Sequence, residues 1–118
     1  MLVVESVERG PNPRRIERAA ALAWDGGATP IVVLTKIDLI DDPAALIEKA
    51  REGAPFVDIV ALSSVRNEGV DELRAHLGPG STAVMLGPSG VGKSTLANRL
   101  LGADRLAVSH VRAGDAKG

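Results

Sequence analysis

Nine consecutive residues, Gly87-Pro88-Ser89-Gly90-Val91-Gly92-Lys93-Ser94-Thr95, carry the clearest chemistry in this chain. Four residues separate Gly87 from Gly92, and a lysine and a hydroxyl follow at once. Glycines let successive backbone N–H groups turn inward around anionic oxygens, and a helix opening directly behind them adds its partial positive charge. The pattern is that of a phosphate-binding loop, which needs a strand before it and a helix after it. In that geometry the backbone of Gly87, Pro88, Ser89, Gly90, Val91 and Gly92 wraps the phosphates. Lys93 reaches the β- and γ-phosphates, Ser94 offers its hydroxyl to Mg²⁺, and Thr95 meets the α-phosphate.

A phosphate loop says nucleotide without saying which base. Thr35-Lys36-Ile37-Asp38 follows a continuous apolar run, where a parallel sheet presents its ligand-binding edge. A carboxylate there accepts two hydrogen bonds at once from the N1–H and 2-amino group of guanine. Adenine offers no such pair and leaves the carboxylate unsatisfied, at a cost of about 1–3 kcal/mol. Lys36 can lay its aliphatic stem along the base plane. Ser63-Ser64-Val65 ends the next apolar run and can present backbone N–H groups to guanine O6. Taken alone, Thr-Lys-x-Asp is equally a helix cap or a plain surface loop, and Ser63-Ser64-Val65 is a weak signal too; the three together point to a guanine nucleotide, GTP or GDP.

The elements that must position these residues alternate along the chain. Leu2 to Val7 is a strand, and Asn12-Pro13 then supplies an N-cap and a first-turn proline. Ile16, Ala19, Ala20 and Ala23 share one helical face, which ends at Gly26-Gly27. Arg14, Arg15 and Arg18 fall largely off that face and read as solvated surface. Pro30 to Thr35 is a second strand; Asp42-Pro43 opens a helix to about Arg51. Phe56 to Leu62, the short helix Gly69 to Leu77, the strand Ser81 to Leu86 and a helix from Lys93 to about Leu101 complete the series. This predicts an α/β fold with a parallel sheet of about four strands and flanking helices. A single domain over 1–102 is expected, followed by a tail over 103–118 without periodicity that should be mobile.

Composition sets limits. The 118 residues hold 14 basic and 15 acidic side chains, a net charge of −1, which argues against strong intrinsic affinity for a polyanion. Cysteine is absent, so disulfides and thiolate metal sites are excluded in this chain. No apolar run is long enough to span a membrane, and no secretory pattern opens the sequence, so a cytoplasmic location is expected.

The guanine-reading segments precede the phosphate loop, the reverse of their order in ordinary small GTPases. That order, with Gly-Pro-Ser-Gly-Val-Gly-Lys-Ser, resembles the circularly permuted GTPases of the ribosome-small-subunit-dependent family (RsgA, YjeQ, EngC). The likeness extends through Asn12-Pro13-Arg14, Thr35 to Leu39 and Asn67 to Leu73, covering essentially the whole chain. It implies a P-loop NTPase fold, GTP or GDP with Mg²⁺ as ligands, and GTP hydrolysis late in small-ribosomal-subunit assembly. It also implies what is missing: an upstream RNA-binding barrel, a downstream zinc region, and switch segments with an Asp-x-Pro-Gly that occurs nowhere in this sequence. The chain is therefore expected to be part of a longer GTPase, nearly inactive by itself, contacting the small subunit mostly through other regions.

Two rival readings remain: an ATP-using P-loop enzyme, and a non-catalytic ribosome-docking module with a vestigial nucleotide site. His76 reads as helix surface, and nothing in the sequence activates His110. With further sheet strands absent, Ser81 to Leu86 should be an exposed edge through which the chain self-associates.

Overall fold

In the computed structural model, which describes residues 1–8, 10–77, 82–87, 93–101 and 107–111, strands and helices alternate as the sequence predicts. Strands β1 (Leu2–Ser6), β2 (Ile31–Thr35), β3 (Asp58–Ala61), β4 (Thr82–Leu86) and β5 (Ala107–Val111) form one sheet in the order β3-β2-β1-β4-β5. Every adjacent pair is parallel. Helices α1 (Pro13–Asp25), α2 (Ala44–Gly53), α3 (Val70–His76) and α4 (Lys93–Leu101) supply the crossovers.

The apolar strand runs follow from coverage on both faces. Alternation along β1 sends Leu2 and Val4 into one core, with Ile31, Val33, Val60 and Met85, against Leu73 of α3 and Leu96 and Leu100 of α4. It sends Val3 into the other, with Val32, Leu34 and Leu86, against Ile16 and Ala19 of α1 and Ala50 of α2. With almost no aromatics, both cores rest on close-fitting aliphatics. Phe56 is 95% exposed and stands before β3 rather than inside it.

Two caps behave differently. Asn12 accepts the Arg15 N–H at 3.1 Å and caps α1 as its side chain predicts. At α2, Asp42 Oδ1 accepts the Ala44 N–H at 3.0 Å, while Pro43 occupies the capping position itself.

The tail differs from expectation. Periodicity alone places no element after Leu101, yet Ala107–Val111 pairs in parallel with all of β4. Ala-Val-Ser-His-Val is neither a continuous apolar run like Ile31–Thr35 nor an alternating one, so its pattern does not announce a strand, and its partner is what selects its conformation. β4 is consequently an interior strand, and the edge expected to be exposed is covered by β5 from Thr82 to Leu86.

Connectivity defines one special place. From β1 the chain steps sideways to β2 and β3, with α1 and α2 on one face. It then returns past β1 to β4, with α3 and α4 on the opposite face. The helices leaving β1 and β4 thus diverge to opposite sides, opening a crevice at the carboxyl ends of these neighbours. Such a switch point is where open α/β sheets bind ligands.

Candidate functional site

One side of that switch point is the exit of β4. Val3 pairs with Leu86, so Gly87 lies beside Val4 on β1. A Cβ on Gly87 would stand 2.5 Å from the Val4 carbonyl oxygen, closer than real Cβ contacts allow. Glycine is therefore required here by packing against β1. Lys93, first residue of α4, is only 8% exposed, and its Nζ donates to the Gly87 carbonyl at 2.6 Å. That bond brings the loop's two ends together and holds an ammonium at the mouth of the helix. Thr95 is exposed. Pro88, Ser89, Gly90, Val91, Gly92 and the Ser94 side chain lie outside the described residues.

The exits of β2 and β3 bring the other predicted residues together. Thr35 is buried, and its hydroxyl donates to the Glu5 carbonyl at 3.3 Å. Lys36 turns the chain in the left-handed region, φ 64°, which begins a single 3-10 turn over Ile37–Leu39. Asp38 stands in that turn, and its Oδ1 accepts the Ser63 hydroxyl at 2.7 Å. A backbone bond from Ile37 N–H to Leu62 O, 3.3 Å, reinforces this union of segments far apart in sequence. Ser63 is fully buried and also accepts the Arg66 N–H on Oγ at 3.1 Å. Its own N–H donates to Glu68 O at 2.9 Å. The Ser63 N–H is thus already engaged, while Ser64 is half-buried and Val65 exposed.

Sequence reasoning missed the anchor between the two ends. Glu5 lies on the α1 face of β1, 1% exposed, where alternation would put an apolar residue. Arg15 meets it bidentately, Nε to Oε2 at 2.8 Å and Nη2 to Oε1 at 2.7 Å. The Asn12 N–H adds a third bond to Oε1 at 3.1 Å. The hydrogen bond to Glu5 raises the Arg15 pKa, against the opposing pull of burial and with the help of Glu5's charge. Arg15 is thus an anchor of α1 on the sheet rather than solvated surface, while Arg14 and Arg18 are exposed as expected. An acid at an inward strand position, followed by an arginine in the first turn of the next helix, was the available signal.

His76 sits on the helix surface, its Nε2 3.5 Å from Asp58. An open cleft of about 540 Å³ lies beside the start of α1, lined by Asn12, Arg14 and Lys49 among others. None of the predicted site residues lines it. No helix among the described residues is long and apolar enough to cross a membrane.

Comparison with known proteins points the same way as this geometry. The family model described as RsgA GTPase matches residues 1–118. The small ribosomal subunit biogenesis GTPase RsgA of Methanosarcina acetivorans is 43% identical over 118 residues, all of this chain and 32% of that protein. Its namesake from Streptomyces coelicolor is 50% identical over 107 residues, 88% of this chain and 29% of that protein. The crystal structure of YjeQ from Thermotoga maritima superposes with a TM-score of 0.72 at 28% identity, covering 84% of this chain and 36% of that one. The chain spans about a third of the length of these relatives.

Proposed function

The chain belongs to the RsgA GTPase family, and from that premise we propose that it binds GDP or GTP and forms the base-reading and phosphate-holding part of a GTPase acting in small ribosomal subunit biogenesis. The observation that carries the proposal is the buried Lys93 ammonium on the Gly87 carbonyl, at the switch point between β1 and β4. A buried cation at a helix mouth is an anion site in waiting, since the helix N-terminus and the ammonium favour the same charge.

The base is read by Asp38, aimed by Ser63 and accepting from guanine N1–H and N2. Lys36 packs along the ring, and Ser64 and Val65 offer N–H groups to O6. Mg²⁺, a hard cation that prefers oxygen donors and retains waters, would use the Ser94 hydroxyl together with phosphate oxygens. When bound it neutralises charge on the phosphates. Hydrolysis further demands an oriented water and a closed metal site. No Asp-x-Pro-Gly occurs in the sequence to anchor such a closure, so these 118 residues alone should turn over GTP hardly above background.

Calorimetric titration of GDP, ADP and xanthosine diphosphate against the chain, Lys93→Ala and Asp38→Asn tests the proposal. Loss of an ion-assisted contact predicts weakening by roughly 10- to 100-fold for GDP in Lys93→Ala. Asp38→Asn should lose GDP and gain xanthosine diphosphate. Equal affinity for ADP and GDP, or GDP binding indifferent to both substitutions, would refute it.

A further inference from the structure

The loop leaving β1 carries an acid that no part of the proposed nucleotide chemistry uses. Glu8 Oε1 receives the Lys36 ammonium at 2.7 Å, across 28 residues of sequence. The backbone brings the two loops side by side: Val7 N–H donates to Thr35 O at 3.2 Å, and the Ser6 hydroxyl accepts the Glu8 N–H at 3.0 Å. Lys36 meanwhile holds a left-handed backbone conformation uncommon for a residue with a side chain. The direction of the bond matters. β1 lies between β2 and β4, so a lysine stem running from the β2 exit to the β1 exit points from the base-reading turn toward the phosphate loop. Neighbouring strands are about 4.8 Å apart, a gap that the four-carbon stem of one lysine can bridge. A nucleotide bound at both ends lies along that same line.

We propose that Glu8 is a positioning residue for guanine-nucleotide binding: it tethers the Lys36 ammonium so that the lysine stem is stretched beneath the base. This rests on the reading of Lys36 as the base platform. A free lysine has many rotamers, and ordering one on binding weakens affinity. A tether already made in the protein removes part of that cost. Both partners are partly exposed, Lys36 at 32% and Glu8 at 55%, so the coupling is modest and sensitive to salt.

The test is a double-mutant cycle on the 118-residue chain, titrated with GDP at low and high salt. Glu8→Gln should raise the GDP dissociation constant about two- to fivefold, the range of an exposed ion pair. Glu8→Asp, which keeps the charge, should recover part of the loss. In Lys36→Ala, adding Glu8→Gln should cost nothing more. The ratio of Glu8→Gln to unsubstituted chain should fall toward one as salt rises, which a purely structural role would not produce. Unchanged GDP binding in Glu8→Gln overturns the inference, and so does tighter binding, because the carboxylate then acts only as an anion competing with phosphate. Additive losses overturn it as well. Asp38→Asn run in parallel separates the two levels: if it weakens GDP while Glu8→Gln does not, the tether alone fails. If neither matters, the reading of the base site fails too.

Discussion

The two ends of the crevice are held by different forces. At the proposed phosphate end the fixing contacts are made on backbone carbonyls: a glycine pressed on the Val4 carbonyl and a buried ammonium on the Gly87 carbonyl six residues away. At the proposed base end they are made between side chains 25 and 28 residues apart, Ser63 on Asp38 and Glu8 on Lys36. A backbone cradle grips any polyphosphate. A carboxylate aimed by a neighbour's hydroxyl can tell one purine from another. Affinity should thus respond to changes at the first end without regard to base, and selectivity to changes at the second. The Glu5–Arg15 anchor of α1 provides a control, because neither residue is assigned to the phosphate or the base in the proposed function.

That control carries the largest expected effect. Arg15→Ala leaves the buried Glu5 carboxylate with only the Asn12 N–H, and unpairing a buried ion costs about 3 kcal/mol. The midpoint of urea denaturation should fall with little change in its slope. GDP and xanthosine diphosphate binding, measured well below that midpoint, should keep their ratio. A changed ratio would mean that the anchor belongs to the base end and that the division into two ends is false.

Next comes Gly87→Ala. The new methyl meets the Val4 carbonyl, and relief requires β4 to move away from β1. Overpacking of this kind costs about 1–3 kcal/mol, and here it also displaces the carbonyl that Lys93 holds. Thermal unfolding should shift down, and GDP, ADP and inorganic pyrophosphate should all lose affinity by a similar factor. Loss confined to guanine nucleotides would break the comparison.

How much of this was legible in the sequence follows the same division. Strand runs such as Ile31–Thr35 and the motif from Gly87 to Thr95 are local, so periodicity and spacing announce them. Asp38 and Ser63 were each visible at a strand exit, but the bond between them depends on β2 and β3 being neighbours in register. Glu5 and Arg15 escaped notice because a charged residue in a strand pattern reads as outward-facing until the helix above it is known. β5 escaped because five residues without alternation are chosen by their partner strand rather than by their own pattern.

The smallest effect expected is also the sharpest probe of the base end. Ser63→Ala deletes a hydroxyl that donates to Asp38 at 2.7 Å and accepts from the Arg66 N–H at 3.1 Å. Two hydrogen bonds are lost, though Asp38 is half-buried and water can replace one of them, so stability should fall by only about 1 kcal/mol. The consequence for recognition is more specific. Without its partner Asp38 is free to rotate, and its proposed two-point grip on guanine becomes one choice among several rotamers. Inosine diphosphate, which lacks the 2-amino group, can use only half of that grip even in the unsubstituted chain. Ser63→Ala should therefore shrink the preference for GDP over inosine diphosphate by about threefold, the equivalent of a few tenths to one kcal/mol of lost orientation, while pyrophosphate affinity stays where it was. An undiminished preference would mean that Asp38 is aimed by its own backbone turn, and that both ends of the crevice are, after all, built the same way.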